Sequence, residues 1–163
     1  MDYFIILEDI LLTKLPKEKF IKFDKFYKLF LENKLIFDHN YRALDLENPS
    51  YNDFLSIVKP TKLPPIKNFK TKEGKKYLIH TILHIEYSAV DLALDAALRY
   101  QNMPLEFYKD WLEVASDEIR HFLMLEKLLN ELNGFYGEFE VHKNLFEAMQ
   151  QTPDLLSRMA CIP

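Results

Sequence analysis

The sequence predicts an all-α fold: a hairpin of two long antiparallel helices, preceded by shorter N-terminal helices and an extended arm. Three observations predict it. Residues 77–100 and 104–132 each carry an apolar stripe at helical spacing without interruption. The break between them, Asn102-Met103-Pro104, is too short for anything but an antiparallel pair. Only 3 of the 163 residues are glycine, too few for a loop-dense β sandwich or a glycine-cradled phosphate site.

Element by element, residues 2–14 repeat apolar positions at Phe4, Leu7 and Leu11 and at Ile6 and Ile10, a short amphipathic helix that Pro16 ends. Residues 17–33 form a second helix with Phe20, Phe23, Tyr27 and Phe30 on one side. Residues 35–76 carry Asn48-Pro49, Pro60 and Pro64-Pro65, with lysines at 59, 62, 67, 70, 72, 75 and 76, and read as an extended connector wrapping over the rest. The helical pattern resumes near Thr71. Its stripe runs Ile79, Ile82/Leu83, Glu86, Ala89/Val90, Ala93, Ala97. Pro104 suits the start of the next helix, and Asn133-Gly134 terminates it. That stripe runs Trp111, Val114/Ala115, Glu118, His121/Phe122, Leu125, Leu128/Leu129, Leu132, and Met124 joins the core by spacing. Residues 134–141 form a loop, 144–151 a short helix, and Thr152-Pro153-Asp154 starts a last one. The division is 1–70 as N-terminal helices plus connector and 71–163 as the helical hairpin with a truncated third helix.

Composition excludes several function classes. Apolar residues make up 48% of the chain, with 13 Phe and 9 Tyr, enough for a core. No G-x-x-x-x-G-K or G-x-G-x-x-G pattern supports nucleotide binding, and no serine or cysteine nucleophile has a base at a recognisable spacing. Cys161 is the single cysteine, so no intrachain disulfide forms, which fits a reducing compartment. The apolar run Tyr3–Leu7 is interrupted by Glu8 and Asp9 and is too short to span a bilayer. The expectation is a soluble, cytoplasmic protein. The net charge of −4 divides unevenly, with 15 Lys/Arg against 11 Asp/Glu in residues 1–76 and 6 against 14 in residues 77–163. An acidic half favours cation entry, and a solvated polar face accounts for it equally well.

Glu86, Glu118 and His121 stand out because all three fall on the apolar stripes. A carboxylate there is costly unless neutralised, paired or bound to a metal. Positions three apart on a helix lie about 60° from each other, so Glu118 and His121 project from one face. Glu86 lies 16 residues before position 102 and Glu118 lies 16 after it, which places them at one height in an antiparallel hairpin. A Glu facing a Glu-x-x-His is the half-site of carboxylate-bridged di-metal four-helix bundles. Hard oxygens with one imidazole suit iron or manganese, and zinc less exclusively. The motif alone is weak, since about 0.4 Glu-x-x-His pairs arise by chance in this composition; buried, hydrogen-bonded polar residues are the alternative. His80 and His84 have zinc spacing, yet they share a face with Ser88, Asp91 and Asp95 and lack a third ligand, so a solvated or connector-facing polar face is favoured. His84 becomes a support for the site if the helix is rotated. His142 reads as a capping or packing histidine, and Asp117 as exposed or as orienting His121.

The residues also resemble a family. His84-Ile85-Glu86, Ala89-Val90-x-Leu92-x-Leu94-Asp95, Met103-Pro104, Phe107-Tyr108-x-Asp110-Trp111 and Val114-Ala115-x-Asp117-Glu118-x-x-His121-Phe122 carry the resemblance. So do Tyr136-Gly137-x-Phe139, Val141-His142, Leu145-Phe146-Glu147-Ala148 and Asp154-Leu155-Leu156-x-Arg158-Met159-Ala160. Over roughly residues 55–163 the chain resembles a bacterial ferritin-like family of unknown function (domain of unknown function 455), itself similar to di-iron hydroxylases, some acting on modified tRNA. The resemblance implies a ferritin-like bundle with metal ligands at Glu86, Glu118 and His121. It supplies no reaction.

Family members continue with a second set of ligands where this chain ends, so only half the ligands are expected here. Three resolutions follow: two copies pair about a two-fold axis and each contributes Glu, Glu and His; the N-terminal helices and the proline-rich arm cover the hairpin and the site is lost or vestigial; or the chain is a fragment or truncated product whose missing half comes from another chain. The first is favoured, giving a homodimer with two metal ions at its interface. The leading function is a non-haem di-iron oxidoreductase, oxygen-activating or ferroxidase-type. The alternative is a metal-free helical dimerisation or interaction module. Nucleic-acid binding by the connector lysines is disfavoured, because Phe69 is the single aromatic residue between 59 and 76.

Overall fold

The computed structural model describes residues 1–65 and 69–162, so Lys67 of the connector lies outside the described residues. All regular structure in them is helical. Helix α1 spans Tyr3–Leu12 and α2 Pro16–Leu31; the long pair is α3, Lys72–Arg99, and α4, Leu105–Glu131; α5, Asn144–Gln151, and α6, Leu155–Cys161, follow. One 3-10 turn, Pro60–Lys62, interrupts an otherwise irregular connector.

Local chemistry sets the boundaries. The Asp2 carboxylate accepts from the Ile5 amide at 3.0 Å, Thr71 Oγ1 from Gly74 at 3.1 Å and the Asp154 carboxylate from Ser157 at 2.9 Å, each satisfying an amide that the first helical turn leaves open. Pro16 opens α2, where its missing N–H costs nothing. Asparagines at positive φ stop the chain's helices: Asn33 after α2 (54°), Asn102 in the α3–α4 turn (59°) and Asn133 after α4 (58°). After α4, Gly134 then donates back to the Leu129 carbonyl at 3.0 Å.

One aromatic-rich core joins the N-terminal helices to the hairpin. Tyr3 and Tyr108 meet at 5.4 Å between ring centroids, Phe20 and Phe122 at 5.2 Å, and Tyr87 and Phe122 at 5.6 Å. Tyr87, Val90 and Leu94 of α3 and Leu112, Ala115 and Phe122 of α4 are fully buried in it. The hairpin is thus covered along one side by α1, α2 and the connector.

The α3 face that carries His80, His84, Ser88, Asp91 and Asp95 is buried, so of the two sequence readings the connector-facing one describes the structure. Its charges find partners from distant segments. Lys19 of α2 pairs with Asp91, Ser50 of the connector donates to Asp91 at 2.6 Å, and Arg158 of α6 reaches Asp95 at 3.1 Å. One core assignment changes: Met124 is 60% exposed, whereas Trp111, half-buried, packs against the core beside Phe107.

Candidate metal centre

Glu86 sits in α3 and faces α4, where Glu118 and His121 stand one turn apart. Nδ1 of His121 lies 3.3 Å from Glu118 Oε2 and 3.7 Å from Glu86 Oε2. One donor atom from each residue falls within 4.8 Å of the other two, so the structure brings together the three residues singled out by spacing. The equal-height argument for an antiparallel pair therefore holds in three dimensions.

Burial differs from the sequence expectation. The three side chains do not sit in a closed, dry seam: Glu86 and Glu118 keep about a fifth of their surface and His121 keeps 40%. They lie at the edge of their stripes, whose Leu83, Val90, Ala93, Ala115 and Phe122 are buried, beside an uncovered strip of the hairpin. Val114 and Leu128, one heptad before and after His121, are 40% and 43% exposed, and Ile85 beside Glu86 is 46% exposed. The N-terminal helices cover the hairpin without displacing the site, because they pack on the neighbouring face of α4, at Tyr108 and Phe122.

Electrostatics at the site follow from this half-burial. Glu86 is pushed up to about 7, first by burial and then by the neighbouring Glu118 carboxylate, with His121 opposing both. Two carboxylates this close retain a proton near neutrality when nothing else neutralises them. Arg120 Nη2 lies 3.2 Å from His121 Nε2, where a guanidinium can only donate, and His121 Nδ1 faces the carboxylates. Arg120 is itself held by Asp117 at 3.2 Å. Asp117 is exposed, and it acts on His121 through Arg120 rather than directly. The sequence reading missed Arg120, since its role depends on which imidazole nitrogen faces the cluster.

The other histidines are not brought into the site. His84 Nε2 donates to the His142 carbonyl at 2.8 Å, leaving Nδ1 to accept from Tyr136 at 2.9 Å, and His80 Nε2 accepts from the Gly137 amide at 2.9 Å. They tie the 134–142 loop onto α3. His142 Nδ1 accepts from the Asn144 amide at 3.4 Å at the start of α5, as a capping histidine does.

The class defined so far is an all-helical bundle with a carboxylate–carboxylate–imidazole cluster on the open side of its central hairpin. The chain belongs to the family described as "Protein of unknown function (DUF455)", whose model matches residues 12–163. An uncharacterized protein of Haemophilus influenzae is 40% identical over 115 residues, covering 66% of this chain and 40% of the relative. The chain thus spans about two fifths of the length of the curated relative it matches. No solved structure matches it. Among the described residues, no helix is long and apolar enough to cross a membrane.

Proposed function

We propose that this chain is half of a ferritin-like di-metal carboxylate protein, in which Glu86, Glu118 and His121 hold iron for oxygen activation or ferroxidase turnover. Manganese and zinc are the competing occupants. The observation that supports this reading is the convergence of three hard donors from two helices within 4.8 Å. The donor set fits such an ion: two carboxylates and one imidazole on a half-exposed face. A bound iron pair supplies a redox-active Lewis acid for dioxygen chemistry. The residues prepare that binding. To hold an ion, Glu86 would give up the proton it keeps near neutrality and His121 would offer a ring-nitrogen lone pair, so that all three donors would face one point.

Three protein donors are half a di-metal set. A second copy packed across the open face, about a two-fold axis, supplies a second Glu, Glu and His and covers Val114 and Leu128. That arrangement is a homodimer with two ions. The competing reading is a metal-free helical dimerisation module, which the exposed apolar residues around the cluster favour on their own. Elemental analysis of protein purified without chelator, with light scattering during size exclusion, separates the two. The di-metal reading expects about one ion per chain in a dimer. A metal-free dimer establishes the module, and a metal-free monomer overturns both.

A further inference from the structure

About 14 Å along α3 from Glu86, at the rise of a helix, a second charged cluster surrounds Asp95. This carboxylate is fully buried and receives two guanidinium groups. Arg99, on the same helix, donates through Nη2 at 2.8 Å and Nε at 3.1 Å, and Arg158 of α6 donates through Nη2 at 3.1 Å. Two positive charges on one negative leave an excess of one. The negative end of α3 contributes roughly half a charge and does not cancel it.

The hydrogen bonds are incomplete in the same place. Arg158 is 2% exposed; its Nε donates to Thr152 Oγ1 at 2.8 Å and its Nη2 also to the Met149 carbonyl at 3.2 Å, while Nη1 has no hydrogen-bond partner among the described residues. Arg99 Nη1 reaches only Asp45, at 3.4 Å, and that carboxylate is fully exposed. Arg99 and Met149 line a cavity of about 280 Å³, and on its other side Arg99 lines a second of about 610 Å³ together with Arg42, Gln101 and Asn102.

We propose that the cavity lined by Arg99, whose guanidinium shares the Asp95 carboxylate with the buried Arg158, is a binding site for a small phosphate-type oxyanion, which takes the place of Asp45 on Arg99. Guanidinium forks suit this ligand, since they offer paired donors to two oxygens. The site is separate from the metal cluster and does not rest on it.

Isothermal titration calorimetry with inorganic phosphate tests this, using chloride at matched ionic strength as the reference and glycerol phosphate as a monoester. The wild-type protein should bind one phosphate per chain. Asp45→Ala removes a competing carboxylate on an exposed loop and should tighten binding about threefold or more. Arg99→Gln should weaken it about tenfold or more, and Arg99→Lys should recover part of the loss by restoring charge without the fork. Equal affinity for glycerol phosphate indicates the phosphate group of a larger metabolite, and preference for the free ion indicates inorganic phosphate. The proposal is overturned if the wild type gives no phosphate-specific heat, or if Asp45→Ala weakens binding or leaves it unchanged. Should circular dichroism show Arg99→Gln unfolded, the Asp45→Ala result decides alone.

Discussion

Replacing Glu86 with Gln should act in opposite directions on the metal-free and the metal-loaded protein. Without metal, Glu86 and Glu118 bring two carboxylates within 4.8 Å. Two unit charges at that distance repel by about 3.5 kcal/mol at an effective dielectric of 20 and by about 0.9 kcal/mol in water. The side chains keep a fifth of their surface, so about 1–3 kcal/mol is the working range. The sign with pH follows from the raised carboxyl. Burial and Glu118 lift Glu86 from 4.5 to about 7, so the folded state keeps a proton that the unfolded state has lost, and stability drains away as pH rises through 7. Glu86→Gln removes that loss. At pH 8.5 the metal-free variant should melt roughly 2–12 °C above wild type, and at pH 4 the two should coincide. Ferrous or manganous ion should raise the wild-type melting temperature and leave the variant nearly unmoved, because an amide is a poor substitute for a carboxylate ligand. Differential scanning fluorimetry at both pH values, with and without the ion, measures all of this. A variant that is less stable than wild type at pH 8.5 and keeps the full metal-dependent shift would refute the reasoning, and would make Glu86 an ordinary hydrogen-bonding residue.

Three further expectations follow. Glu118→Ala should abolish bound iron, read by elemental analysis, while the far-ultraviolet circular dichroism stays that of wild type. Burial holds His80 and His84 down at about 4, so the unfolded chain takes up protons from pH 6.5 that the native loop anchor refuses. Stability is therefore complete above 6.5 and should fall by about 3 kcal/mol per histidine toward pH 4, with urea midpoints declining over that window and His84→Gln flattening the slope. Lys19→Met leaves the Asp91 carboxylate buried with only Ser50 against it and should cost about 3–5 kcal/mol in urea denaturation. The double replacement Lys19→Met, Asp91→Leu should cost less than the single one.

The local levels of this fold were legible in the sequence. Helical periodicity marked α1 to α4, and proline and asparagine marked their ends, because capping and left-handed backbone act over three or four residues. The meeting of Glu86 with Glu118 and His121 was legible too, since a short turn forces two long helices into one register. Burial across the helices was not. Asp91 looked solvated because its partners, Lys19 and Ser50, come from segments 72 and 41 residues away. Asp95 had the same ambiguity until Arg158 arrived from α6, 63 residues on. Met124 fits the core by spacing, yet it is exposed, because spacing gives a residue's angle around its helix and not which side another element covers.

By itself, then, the sequence determined which residues share a helix face and at what height, since both are set by helical pitch and one tight turn. The tertiary structure alone decided that α2, the connector, the 134–142 loop and α6 shelter the polar face of α3 and leave the Glu86–Glu118–His121 cluster half-exposed. Which face is sheltered depends on where aromatic side chains far apart in the chain find room to interlock, and no local rule encodes that.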